Sequence, residues 1–272
     1  MKLFINEFIK DYRKLTTYIY LLLTIVISLT PAIITKYTKS EEFNAVLNII
    51  DTVSGILIIS LIFILIMFAN NLSQEYSKGT IKFLYSKAAS RSSILTAKIV
   101  VAVFNYIFFV VVSAVVVFLV QKYLLFKGKI SFSVLKEKMP DGHFGRTLQK
   151  QLVMTSLSTF IIALFFIALV LLICVWFKTQ ILSVVLVMII IFGEGIIRYF
   201  TLALVGKFEI IKYNLFSVPL LSSYYETESG RQLVTEAFKL SEAKLWIIFG
   251  VYTFVCVLVA YIINARRDIT LD

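Results

Sequence analysis

Two ionisable residues inside a long apolar run are the first candidates for chemistry in this chain. Glu194 and Arg198 lie in the run IIIFGEGIIRYF, and their i, i+4 spacing places them on one face of a helix, where they can form a salt bridge. Each costs about 2.5–3.5 kcal/mol in a bilayer and therefore usually faces protein or a water-filled cavity. The flanking Gly193 and Gly195 would allow close approach of another helix or a bend. This pattern fits two interpretations. The two residues could be a polar point on a pathway or at a subunit interface, or they could be a self-neutralising pair that fixes helix packing.

Motifs for bond chemistry are absent from the sequence. A phosphate-binding loop needs G-x-x-x-x-G-K-[ST], but Gly128-Lys129 is followed by Ile130, and Tyr123 stands where the first glycine should be. The only histidine, His143, falls in a predicted loop, where a solvated residue is more common than a catalyst. We therefore expect no catalytic residue, no metal site and no cofactor in this chain, and expect that it is not an enzyme.

A polar and basic segment, residues 75–98, is the second candidate. Its sequence is EYSKGTIKFLYSKAASRSSILTAK, and it separates two long apolar runs. Gly79 interrupts it, because glycine is a poor residue for a helix interior. Beyond that glycine, residues 80–87 can form a short helix with one apolar and one basic side. Such a helix can insert into a groove on a partner protein, whereas the alternative is a solvated loop that binds lipid headgroups.

The composition of the chain indicates an integral membrane protein. Of its 272 residues, 60% are hydrophobic and 16% are charged, whereas soluble domains are about half apolar and a quarter charged. The net charge of +11 arises from basic residues between the apolar runs, where anionic headgroups can meet them. We therefore expect a membrane as partner and no nucleic acid. Cys174 and Cys256 lie inside apolar runs and indicate small buried side chains.

Six runs have the length that a helix needs to cross a bilayer, about 20 residues. We treat residues 1–272 as a single transmembrane domain and expect helices in all six runs, because an open strand would leave backbone groups unpaired in lipid. Only residues 178–180 separate the fourth and fifth runs, which predicts a tight antiparallel hairpin. The predicted spans are 15–35, 52–72, 94–121, 151–177, 181–205 and 245–263.

Residues 1–14 precede the first predicted span. Phe4, Phe8 and Tyr12 recur at helical spacing, and charged residues fall mostly on the other side. This pattern is typical of a helix that lies in the membrane interface, although a simple charged tail is the alternative. Basic residues in the short connections favour cytoplasmic N- and C-termini. The seven basic residues in 122–150 do not follow the same rule, because this orientation places them outside. The Ile- and Lys-rich composition suggests a bacterial cell membrane.

The segment 75–98 resembles the cytoplasmic connector of type-2 ABC transporter permeases. The resemblance covers the whole chain in its number of spans, but its specific part is confined to this connector. The usual proline before the arginine is absent, and Ala88-Ala89-Ser90 stand there instead. The matching residues are Glu75, Gly79, Thr80, Lys82, Leu84, Arg91 and Lys98.

This resemblance implies an all-α fold with six transmembrane helices and an N-terminal interfacial helix. It also implies a cytoplasmic coupling helix in the connector, and a re-entrant element on the outside, within 206–243, before the last span. The seven matching residues would couple the chain to an ATPase subunit.

The implied function is that of a permease subunit of an ATP-driven ABC exporter. Two copies of a separate ATPase, with ATP and Mg, and a second copy of this permease or a homologous one would be its partners. The apolar spans favour hydrophobic or amphipathic cargo, and bacteria of this kind suggest antimicrobial or cytolytic peptides, hence peptide export or resistance. The alternatives are a secondary transporter driven by an ion gradient through Glu194 and Arg198, and a membrane enzyme or immunity protein without transport.

Overall fold

Helices dominate the parts of the chain that the computed structural model describes, which are residues 2–37, 45–78, 90–126, 132–177 and 179–266. No strand is present in these ranges, and one antiparallel bridge joins Lys138 to Thr147. The α-helices are α1 (Lys2–Tyr12), α2 (Leu15–Ser28), α3 (Thr30–Tyr37), α4 (Ala45–Ser77), α5 (Arg91–Leu119), α6 (Leu148–Trp176), α7 (Gln180–Leu204), α8 (Leu220–Glu226), α9 (Glu228–Gln232) and α10 (Glu242–Arg266). Short 3₁₀ segments cover Phe132–Lys136, Glu209–Tyr213 and Leu215–Ser217, and π-helical turns cover Val120–Leu125 and Leu233–Ala237.

Six stretches of the described residues are long and apolar enough to cross a membrane as helices. The prediction of an all-α fold with six membrane-length helices is therefore confirmed. Pro31 divides the first stretch into α2 and α3, because proline has no N–H to donate to the preceding turn. The six stretches are Leu15–Tyr37, Ala45–Ser77, Arg91–Leu125, Leu148–Trp176, Gln180–Leu204 and Glu242–Arg266.

Helix α6 is the centre of the bundle. In its most apolar 18-residue window, 72% of the residues are buried, compared with 11% in α7. It packs against α4 and α10, and its side chains Phe165, Leu169 and Leu171 lie in the main apolar core. Helix α7 packs more extensively against α4 than against α6. The two helices on either side of residues 177–179 are thus close in sequence, but a hairpin between them is not the main packing interaction of α7.

The bundle has two different ends. At one end, which we call the connector end, α1 packs beside the last turn of α4 and the first turns of α5. At the other, the loop end, two irregular segments from 132–147 and 205–241 meet. The backbone N–H of Glu228 donates to the carbonyl oxygen of Gly142 over 2.8 Å, and the guanidinium of Arg231 lies 4.3 Å from the ring centroid of Phe144. Each end carries one candidate site.

Candidate functional site

Helix α1 is attached to the bundle by an aromatic stripe. Phe4, Phe8 and Tyr12 follow one another at i, i+4, so they lie on one face of α1. Phe8 meets Phe104 of α5 edge-to-face, with ring centroids 5.3 Å apart, and Tyr12 meets Phe108 in the same way at 5.4 Å. Because this stripe packs on α5, Glu7, Lys10 and Asp11 of α1 point towards the seam between α4 and α5.

Lys98 is the centre of a buried ionic cluster in that seam. Its Nζ lies 2.6 Å from Oε2 of Glu7 and 2.8 Å from Oε2 of Glu75. Lys10 of α1 forms a second ion pair with Glu75. The side chains of Lys98 and Glu75 are each only 5% exposed. Charges this deeply buried are tolerated because each is paired, since an isolated one would cost several kcal/mol.

A second layer of polar contacts extends the cluster into the bundle. The carboxylate of Asp11 accepts hydrogen bonds from Nδ2 of Asn71 over 2.6 Å and from Nδ2 of Asn105 over 2.9 Å, and Lys14 donates to Asn71. Burial raises the pKa of Asp11 above its usual value, and the hydrogen bond from Asn105 opposes that rise. Burial, reinforced by Lys98, lowers the pKa of Lys10 to about 8.

We call this cluster the connector clamp. Its three carboxylates and three ammonium groups balance, so burial leaves no net charge. Four of its eight members lie more than 50 residues in sequence from the other four, so it joins α1 to α4 and α5. Its members are Glu7, Lys10, Asp11, Lys14, Glu75 and Lys98, with the amides Asn71 and Asn105.

The end of α10 holds the other side of the connector. Tyr76, one residue after Glu75, donates from its hydroxyl to Oδ1 of Asn264 over 2.9 Å. Arg91 donates from Nη1 to the carbonyl oxygen of Ala265 over 3.1 Å. Ser90 caps α5, because its side chain accepts from the N–H of Ser93. Both ends of the connector are therefore fixed, by α1 on one side and by α10 on the other.

The residues that the sequence predicts as ATPase-coupling divide into two groups. Glu75 and Lys98 belong to the connector clamp, and Arg91 contacts α10. Because Glu75 and Lys98 are 4% and 5% exposed, their side chains contact this chain itself and are not available to a partner. Gly79, Thr80, Lys82 and Leu84 lie outside the described residues.

Sequence reasoning missed the residues of α1 as partners of this site. The signal for their helix is the i, i+4 aromatic stripe, but nothing in the sequence pairs Glu7 with Lys98, 91 positions away. Asn71 and Asn105 were a usable signal, since amides inside apolar spans are costly unless they are hydrogen-bonded.

The pair Glu194 and Arg198 lies nearer the loop end. Nε of Arg198 is 3.8 Å from Oε1 of Glu194, and the side chains are 38% and 20% exposed. A Cβ atom placed on Gly193 or Gly195 would meet no other atom within 4 Å. The expected close helix approach at these glycines is therefore not made by the described part of this chain, because α7 uses a different face to pack on α4.

Glu194 and Arg198 line a cavity of about 300 Å³ between α4, α6, α7 and α8. We call it the inner cavity. Its walls from α4 and α6 are mostly apolar, and its charged groups lie on α7 and α8. A second, outer cavity of about 560 Å³ continues from it and is bounded by α7, α8, α9 and the turn that follows. Arg198 and Glu226 line both cavities, and the other polar groups of the inner one are Ser54, Thr155, Thr159, Glu194 and Ser222.

Glu226 is a site residue that sequence reasoning missed. Arg146 and Gln151 fix the end of α8, since they donate to the carbonyl oxygens of Tyr225 and Glu226, both over 2.7 Å. The carboxylate of Glu226 accepts a 3.4 Å hydrogen bond from the hydroxyl of Ser158. Burial raises the pKa of Glu226 above its usual value. The sequence shows only a glutamate in a polar stretch after an apolar one, and that gives no sign of a cavity.

The described ranges contain no group of three or more His, Cys, Asp or Glu side chains that could hold a metal ion. Cys174 and Cys256 are buried free thiols.

The six membrane-length helices and two polar sites define a multi-pass helical membrane protein. The chain belongs to the family described as a protein of unknown function, DUF2705, whose model matches residues 22–270. That match includes Glu75, Lys98 and the cavity residues, and begins after α1. A comparison with curated proteins found no match.

Proposed function

We propose that this chain is the transmembrane permease subunit of an ATP-driven ABC exporter. The observation that carries the proposal is the connector clamp, which holds both ends of the connector to α1, while Tyr76 and Arg91 hold them to α10. A segment that receives a movement from a partner can pass it on only if its own ends are rigidly attached. The resemblance of the connector to that of type-2 ABC permeases supports the same function.

The mechanism that follows couples the connector to the bundle. Two ATPase subunits bind ATP with Mg, close, and displace the connectors of two paired permeases. Because Glu75 and Lys98 are both tied to α1 (Lys2–Tyr12), the displacement reaches α1, α4 and α5 together. The inner cavity is bounded by α4, so a shift of this helix changes the shape of the cavity.

The proposed orientation places the connector end in the cytoplasm of a bacterial cell, with both termini inside. Helix α1 then lies at the inner membrane surface, with its aromatic stripe on the bundle. On the outside, residues 207–221 would form the re-entrant element, which is supported by the burial of Val218, Leu220 and Leu221. The cargo would be hydrophobic or amphipathic, because the inner cavity is lined by apolar side chains together with a few charged groups. Antimicrobial or cytolytic peptides are the leading examples.

The test is to purify this chain together with a phosphate-loop ATPase encoded in an adjacent reading frame. We expect no ATP hydrolysis by the chain alone, and hydrolysis that cargo stimulates in the complex. The control complex carries an ATPase whose phosphate-loop lysine is replaced, and it should be inactive. Cargo transport by the chain alone, driven by an ion gradient without ATP, would replace the proposal with a secondary transporter.

A further inference from the structure

We propose that the inner cavity binds a cationic amphiphile, whose positive head meets Glu226 and whose apolar part lies against α4 and α6. This inference deepens the proposed function and rests on it, because the proposed function is the reason to treat the bound molecule as transported cargo.

The charges that line the cavity favour a cation. Two carboxylates, Glu194 and Glu226, and one guanidinium, Arg198, line it. Arg198 lies within 3.8 Å of Glu194, so those two charges offset each other. In the described part of the chain the carboxylate of Glu226 is met by the Ser158 hydroxyl and by no lysine or arginine within ion-pair distance. A carboxylate in a partly enclosed site without a counterion attracts a cation more strongly than it would in water.

An anion would be bound less well in the same place. Among the described residues that line the cavity, its cationic partner would be Arg198, which already faces Glu194, and the anion would approach the like charge of Glu226. Like charges brought together in an enclosed site cost several kcal/mol. The cavity therefore discriminates by charge as well as by shape.

The walls of the cavity suit an apolar group. Ile58, Leu61 and Leu65 of α4 and Ile162 and Phe166 of α6 line it. The volume of about 300 Å³ is at the lower end of the range for small-molecule sites. The bound molecule thus has a compact apolar part, with a single positive charge at one side.

The outer cavity gives the cation a way onward. Glu226 lines both cavities, so a cation can remain in contact with it while the apolar part leaves the inner one. Tyr199 and Phe238 line the outer cavity, and aromatic faces attract cations. Glu226 is therefore the residue at which charge selection takes place.

The experiment measures binding to the purified full chain in lipid nanodiscs, without ATPase or nucleotide. The probe is radiolabelled 4-phenylbutylammonium, which carries one positive charge at the end of an apolar group. The comparison is 5-phenylpentanoate, which carries a negative carboxylate on the same phenylbutyl group. Empty nanodiscs give the background from partition into lipid. We expect saturable binding of 4-phenylbutylammonium and none of 5-phenylpentanoate.

Glu226→Gln removes the charge and keeps the size and the contact to Ser158. It should weaken 4-phenylbutylammonium binding about tenfold, the size of one charge-assisted contact. Glu236→Gln removes an exposed carboxylate from the same region and should leave binding unchanged. Ile58→Trp, at a half-exposed position, fills the apolar side without altering charge and should also reduce binding.

Equal binding by the parent chain and Glu226→Gln would overturn the proposal, as would tighter binding of 5-phenylpentanoate. If Glu226→Gln does not fold, undiminished binding by Ile58→Trp would overturn it by itself. A chain that assembles with its ATPase but does not bind the cation refutes only this inference. A chain that binds the cation but assembles with no ATPase refutes only the proposed function.

Discussion

The connector end and the loop end use the same kinds of residue in opposite ways. At the connector end Lys10 and Lys98 form ion pairs with Glu7 and Glu75, and Asp11 and Lys14 are hydrogen-bonded to the amides of Asn71 and Asn105. The central Lys98 and Glu75 side chains are 5% exposed. At the loop end two carboxylates and one guanidinium line a cavity, and the Glu194 and Arg198 side chains are 20% and 38% exposed.

This difference indicates what each end is suited to do. A buried polar network with every charge compensated fixes one geometry, and the loss of one member is costly. A cavity with an uncompensated charge keeps interaction free energy for a ligand to use. One end is therefore suited to hold helices together, and the other to bind.

The largest effect that this comparison predicts is the loss of Lys98. Lys98→Met leaves Glu7 and Glu75 close together with no shared cation, and breaking a buried pair in this way typically costs about 3–5 kcal/mol. We expect the largest fall in the unfolding temperature of any single variant proposed here, measured for the purified chain in detergent. Lys150→Met, which removes an exposed lysine from the start of α6, is the matched control. Equal unfolding temperatures for the two variants would remove the argument for a clamp.

A smaller effect is expected at Glu194 and Arg198. Because both side chains are partly exposed to the cavity, Glu194→Gln or Arg198→Gln alone should cost about 1 kcal/mol, less than a fully buried pair. The double variant should recover much of that loss, since replacing a pair costs less than breaking it. Unfolding midpoints of the four proteins give the coupling between the two residues. Additive losses would mean that the two side chains meet water independently.

The smallest effect is a gain in stability at Glu226. Burial raises the pKa of this carboxyl in the folded chain, so ionisation at neutral pH costs free energy that the neutral Glu226→Gln variant avoids. We expect that variant to be more stable than the parent by up to about 1 kcal/mol at pH 7. The gap should close as the pH falls below the unfolded pKa, near 4.5, because the carboxyl is then protonated in both states.

Unfolding curves at pH 7 and at about pH 3.5, below the unfolded pKa, check this, with Glu236→Gln as the control that should show no gap at either pH. A destabilised Glu226→Gln at pH 7 would mean that the carboxylate is stabilised by the fold, and that the two ends of the molecule do not differ in the way we describe.

The helices were predictable from the sequence because they depend on local patterns. Six apolar runs of sufficient length gave the spans, and the i, i+4 spacing of Glu194 and Arg198 was visible within one helix. The aromatic stripe of α1 also followed from local spacing. These features need no knowledge of how the helices pack.

The two sites were not predictable because their members come together only through packing. Glu75 and Lys98 were singled out as residues that contact a partner, whereas they are buried against α1. Their ion partner Glu7 lies 91 residues from Lys98, and no periodicity connects the two. Glu226 gains its role from Ser158, 68 residues away, and from a cavity to which four helices contribute.

The measurement that tests the central claim most directly is the amount of cargo moved per ATP hydrolysed by the assembled complex. It should be made for the parent, Lys98→Met and Lys150→Met at a temperature at which all three remain folded. The account predicts that Lys98→Met hydrolyses ATP but moves little cargo, because its connector is no longer held to α1, while Lys150→Met matches the parent. An unchanged ratio in Lys98→Met would contradict the claim that the connector clamp transmits movement from the ATPase to the bundle.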